Sequence, residues 1–170
     1  DFTPIYEGEN GYLYTFVGWS FQNGYFESTT EVYTSITLKA DYNRTPINYT
    51  ISYNLNDGTT SETLVYSYTI LDEVNIPELS KVGYEFNGWS GTGLDSLSTS
   101  FTLQNAFGDK EYTANFTPNS YKVTFDLVGG SCDANELAVN YDEDVTLPTP
   151  RLFGYDFDGW TLSGTPIENT

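Results

Sequence analysis

Gly83-Tyr84-Glu85-Phe86-Asn87-Gly88-Trp89 comes back as Gly154-Tyr155-Asp156-Phe157-Asp158-Gly159-Trp160, and Tyr12-Leu13-Tyr14-Thr15-Phe16-Val17-Gly18-Trp19 ends in the same way. The tryptophans are 70 and 71 residues apart. Working outward, Val74-Asn75-Ile76-Pro77 upstream of Trp89 matches Val145-Thr146-Leu147-Pro148. Earlier still, Tyr49–Leu55 matches Tyr121–Leu127, and downstream Ile36–Tyr42 resembles Tyr112–Phe116. Self-similarity at a fixed period marks a tandem array. The boundaries it predicts are residues 1–48 for the C-terminal part of one repeat, 49–120 for a complete repeat, and 121–170 for the N-terminal part of a third.

Within the complete repeat, Tyr49, Ile51, Tyr53 and Leu55 alternate with polar residues, the period of a strand with one apolar face. Asn56-Asp57-Gly58 supplies a turn, since these residues tolerate positive φ. Tyr66, Tyr68 and Ile70 predict the return strand, as do Leu137, Val139 and Tyr141 in the third repeat. Tyr84, Phe86 and Trp89 predict a third strand, Phe101–Leu103 a short one and Tyr112–Phe116 the last. The Pro77–Val82 segment reads as a crossover with room for one short helical turn. No stretch keeps a 3.6-residue period, so the expected class is mostly β, α+β at most.

Composition narrows the chemistry. Among 170 residues there are 6 Lys+Arg against 24 Asp+Glu, a net charge of −18, with no His, no Met and one Cys. Nucleic-acid affinity rests on cationic side chains neutralising phosphates, so nucleic acid is excluded as a partner, and an anionic membrane surface is disfavoured. No segment approaches the ~20 apolar residues of a spanning helix. Without His there is no Ser–His or Cys–His nucleophile. The lone Cys132 rules out a disulfide within the chain, and it reads as an incidental turn residue. The 15 Tyr, 11 Phe and 3 Trp argue for a packed fold despite the charge, and the acidic, Thr/Tyr/Asn-rich composition suits the cell exterior.

Three features invite a functional reading. The aromatic signature suits stacking on sugars, but its recurrence at one spacing suits core packing better. Asp142-Glu143-Asp144 offers carboxylates to Ca²⁺, yet it lacks the spacing of a Ca²⁺ loop, and its counterpart Leu71-Asp72-Glu73 has two acids. A solvated acidic turn is the expectation. Asn43, Asn48 and Asn115 each open an Asn-x-Ser/Thr acceptor pattern for glycosylation. No catalytic, cofactor-binding or metal-ligating residue is assigned, and no cofactor is expected.

Taken together, Tyr121–Gly130 (Tyr-x-Val-x-Phe-Asp-x-x-Gly-Gly), Val145–Pro150 (Val-x-Leu-Pro-x-Pro), Gly154–Trp160 and Tyr112-Thr113-Ala114-Asn115-Phe116 resemble the Listeria–Bacteroides repeat family, the internalin B-type B-repeat of bacterial surface proteins. The central repeat departs from the pattern at Glu78, where the second Pro of the motif would stand. The resemblance implies a small β-grasp-like (ubiquitin-like) sheet crossed by a short helix, strung in series on extracellular proteins as stalks and adhesion modules, with no catalytic residues. The expected role is therefore a non-enzymatic spacer in a secreted or cell-surface bacterial protein.

The rival reading is a binding module for glycans or a host receptor, using Tyr-rich faces such as Tyr6, Tyr14, Tyr25, Tyr33 and Tyr42. Both outer repeats read as incomplete, and a chain starting at Asp1 without Met reads as a fragment or a processed product. The expected partners are neighbouring repeats of a longer chain, with strand exchange between copies as the alternative.

Overall fold

The structure, a computed structural model, describes residues 4, 6, 8–22, 24–27 and 29–167. Thirteen strands and no helix occur among them. In the first repeat lie β1 (Tyr12–Phe21), β2 (Gly24–Tyr25) and β3 (Lys39–Pro46), in the order β2-β1-β3. The central repeat contributes β4 (Tyr49–Asn54), β5 (Ser67–Tyr68), β6 (Val74–Ile76), β7 (Tyr84–Gly91), β8 (Phe101–Leu103) and β9 (Lys110–Pro118). It builds a four-stranded sheet, β5-β4-β9-β7, and a β6-β8 pair. The third repeat holds β10 (Ser120–Thr124), β11 (Glu136–Asn140), β12 (Thr161–Leu162) and β13 (Thr165–Pro166), which form two antiparallel pairs. The chain divides into two compact units, Asp1–Leu79 with Asn87–Asn115, and Ser80–Phe86 with Phe116–Thr170.

The strands expected from alternation are present, β4, β7, β8 and β9 among them. Asn56 and Asp57 take φ of 47° and 64°, and Gly58 N–H donates to the Leu55 carbonyl at 2.8 Å, closing the expected turn. The return strand is short, with Tyr49 opposite Tyr68 and Thr50 opposite Ser67. Pairing of β4 with β9 is parallel, Tyr53 lying opposite Tyr112, a long-range contact with no local sequence signal.

The helical turn anticipated at Pro77–Val82 is absent, and the short helix implied by the resemblance is not found among the described residues. Six residues offer too little propagation to offset the cost of nucleating a helix, and the Pro77 carbonyl is already taken by Trp89 Nε1–H at 2.7 Å. The segment crosses in irregular conformation instead, with Leu79 buried.

Among the described residues the fully buried hydrophobic side chains all belong to the central repeat: Ile51, Tyr68, Val74, Ile76, Leu79, Trp89, Tyr112 and Ala114. Trp89, at 0% exposure, is the hub. Its entry depends on Gly88. Along β7 the inward and outward residues alternate until Gly88 and Trp89, which are both buried. A φ of +123° at Gly88 resets the parity of the strand, so Trp89 turns inward. The tryptophan and the upstream proline motif are hydrogen-bond partners, which explains why the two recur together. Trp160 Nε1–H likewise donates to the Pro148 carbonyl at 2.8 Å.

The first repeat keeps other parts of the same plan. Phe16 meets Tyr42 at 5.8 Å between ring centroids, as Phe86 meets Phe116 at 5.1 Å. Ser20 Oγ donates to the Lys39 carbonyl as Ser90 Oγ does to that of Thr113.

Candidate functional site

Several acidic side chains are engaged in holding the backbone. Asp72 accepts from the backbone N–H and the hydroxyl of Thr69, at 2.7 and 2.8 Å, and these bonds hold its carboxyl below the usual range. Asp109 does the same for Thr50, at 2.8 and 3.0 Å, with the same direction of shift. In Asp142-Glu143-Asp144 all three side chains are exposed, and Glu143 accepts from the Asn140 N–H at 3.1 Å. Among the described residues no group of three or more His, Cys, Asp or Glu could hold a metal ion. Cys132 is a free, half-exposed thiol.

The three acceptor-pattern asparagines differ. Asn43 and Asn48 are exposed. Asn115 is half-buried, and its amide donates to the Gly88 carbonyl at 3.1 Å, Ser90 Oγ at 3.0 Å and the Thr113 carbonyl at 2.9 Å. That side chain braces β7 against β9, so its place in a glycosylation pattern follows from a structural requirement of the repeat.

The tyrosines of the first repeat are partly spent on one another. Tyr6 lies 4.8 Å from Tyr14 and 5.1 Å from Tyr42 between ring centroids, and Arg44 sits 4.3 Å above the Tyr12 ring. Tyr25 and Tyr33 are exposed.

In the central repeat, burial governs the phenols. Desolvation, with smaller contributions from neighbouring tyrosines, pushes Tyr53 and Tyr112 up to about 12. Tyr53 donates to the Val65 carbonyl at 2.9 Å, whereas the buried Tyr112 hydroxyl has no hydrogen-bond partner. An unsatisfied buried hydroxyl costs about 1–3 kcal/mol. Tyr112→Phe is therefore expected to stabilise the protein by about 1 kcal/mol in urea unfolding. Tyr68→Phe, which deletes a 2.6 Å bond to the Gly108 carbonyl, should destabilise by a similar amount.

The raised phenols also fix an alkaline limit. From pH 10 to 12 the unfolded chain ionises its tyrosines while Tyr53 and Tyr112 stay neutral in the fold, so stability present below pH 10 is lost as pH rises toward 12. A loss on the order of 2 kcal/mol across that window is expected. Unfolding midpoints measured at pH 9, 10.5 and 12 check it.

A cavity of about 540 Å³ lies in the third repeat, lined by residues that include Val123, Phe125, Leu147, Tyr155, Phe157 and Trp160. Around it Phe153 is fully exposed, Tyr155 is 75% exposed, and Leu152, Phe157, Leu162 and Ile167 are exposed as well. The sequence reading placed its aromatic surface in the first repeat and did not anticipate this patch.

The Listeria-Bacteroides repeat domain matches residues 49–117 and again residues 121–168, more than half of the chain. The chain belongs to the Listeria-Bacteroides repeat family. It is also similar to two proteins of Evansella cellulosilytica. One, provisionally named a membrane protein, is 32% identical over 114 residues, covering 66% of this chain and 17% of that protein. The other, provisionally named a Gly-rich membrane protein, is 29% identical over 157 residues, covering 86% of this chain and 18% of that protein. The chain thus spans less than a fifth of the length of these relatives. No solved structure matches it. Among the described residues no helix is long and apolar enough to cross a membrane.

Proposed function

We propose that this chain is a non-enzymatic spacer, a run of Listeria-Bacteroides repeats that holds other domains of a longer bacterial surface or secreted protein away from their point of attachment. The observation that carries this reading is the reuse of one structural device, Trp Nε1–H to a proline carbonyl, in successive repeats. Asp72 and Asp109 are engaged with the backbone N–H and hydroxyl groups of Thr69 and Thr50. Such an array needs defined length, not a reactive centre.

A globule of about 70 residues has a radius of gyration of roughly 11 Å and spans about 30 Å. A flexible coil of that length reaches roughly 45 Å root-mean-square but holds no direction. Folding gives up reach per residue in exchange for orientation and resistance to proteolysis.

Display on a bacterial surface tests the reading. An epitope tag carried on one, two or four repeats, fused to a wall anchor, should become steadily more accessible to antibody as repeats are added. Accessibility that does not change with repeat number would rule the spacer out.

A further inference from the structure

We propose that successive repeats are coupled through a recurring joint, in which the glycine that precedes the aromatic motif is a socket for one large side chain of the following repeat. The joint occurs twice, as Gly11 with Ile70 and as Gly83 with Tyr141. Both glycines are left-handed, with φ of +85° and +79°. An added Cβ would stand 2.8 Å from Ile70 Cδ1 at the first, and would overlap the Tyr141 ring at the second. The space left by the missing methyl is what each incoming side chain occupies.

The two joints share backbone as well as side chains. The Gly11 carbonyl accepts from Ile47 N–H at 2.9 Å, and the Gly83 carbonyl accepts from Asn119 N–H at 2.8 Å. Ile47 and Asn119 each stand two positions before the tyrosine that opens the next repeat, Tyr49 or Tyr121. The incoming residues correspond too. Tyr68 lies opposite Tyr49 and Val139 opposite Tyr121, and Ile70 and Tyr141 follow them by two. The glycine carbonyl thus fixes the end of its own repeat, while the bare Cα receives the next. At the second joint the Asn119 carbonyl also accepts from Tyr141 N–H at 2.9 Å, and the Tyr84 ring meets that of Tyr141 edge-on, 5.6 Å between centroids. Each joint lies within one compact unit, and Ser80–Phe86, central by sequence, groups with Phe116–Thr170.

A turn requirement alone explains the positive φ but not the packing. Gly83 and Gly154 hold the same place in matching turns, with Tyr84 N–H donating to the Lys81 carbonyl and Tyr155 N–H to that of Leu152, each at 3.1 Å. Yet an added Cβ on Gly154, at φ +83°, meets no atom within 4 Å. Close approach at Gly83 is therefore a second demand, separate from the turn. Repeat arrays draw stability from each unit and from the interface between neighbours, and this contact supplies that interface. The joint stands or falls independently of the spacer role.

The test uses the whole 170-residue chain and amide hydrogen exchange at β10 and β11, which belong to the third repeat. Asn tolerates the left-handed region, so Gly83→Asn probes space rather than φ. It should speed exchange of the Tyr121–Thr124 and Leu137–Asn140 amides about tenfold, although the altered residue belongs to the central repeat. Gly154→Asn should leave those amides within about twofold. Tyr141→Ala should act like Gly83→Asn, and combining the two should add little, because the displaced ring is already gone. The proposal is overturned if Gly83→Asn leaves third-repeat exchange unchanged, if Gly154→Asn matches it, or if its effect persists undiminished beside Tyr141→Ala. Should Gly83→Asn fail to fold, recovery on adding Tyr141→Ala supports the joint, and continued failure overturns it.

Discussion

Trp89→Ala is expected to destabilise the central repeat by about 3–5 kcal/mol, a large part of the 5–15 kcal/mol that holds a typical domain folded. The indole is fully buried, lies 5.6 Å from the Tyr53 ring and donates to the Pro77 carbonyl. Truncation opens a cavity beside the Tyr53 ring and strips a buried carbonyl of its donor. Trp160→Ala should cost about half as much or less, because half-burial means less contact to lose. Urea unfolding followed by far-UV circular dichroism separates the two. Equal losses at both sites would show that the central repeat does not depend on its tryptophan in the way described.

Gly88→Ala should be nearly as severe, at about 2–4 kcal/mol. Two penalties combine there: φ is +123°, and an added Cβ would stand 2.8 Å from the Ser98 carbonyl carbon. Gly159→Ala isolates the first penalty. Its φ is +137°, but an added Cβ meets no atom within 4 Å, so about 1–2 kcal/mol is expected. The same substitution in two copies of one motif should thus give unequal effects, readable as two shifts in unfolding midpoint. Equal shifts would mean that the backbone of Ser98 yields readily, and that closeness of packing adds nothing at Gly88.

Sequence reached far into this fold because its signals are local and repeated. Alternation located β4, β7 and β9, and the positive φ values at Asn56 and Asp57 follow from residue types that tolerate them. The assignment of the aromatic signature to packing agrees with the complete burial of Trp89. Two features were not legible. Parallel pairing of β4 with β9 joins residues nearly 60 positions apart and leaves no mark in either segment. The crossover at Pro77 was read as room for a helical turn, whereas its carbonyl is committed to an indole twelve residues away. At the candidate site, tyrosine density pointed to the first repeat. Exposure is set by tertiary packing that no single segment records, and Phe153 and Tyr155 of the third repeat are among the most exposed aromatic side chains described.

Small-angle scattering from arrays of two, three, four and six complete repeats is the most direct measure of the spacer account. The maximum dimension should grow nearly linearly, by about 30 Å for each added repeat. A dimension that levels off as repeats are added, as for an array that folds back on itself, would contradict it.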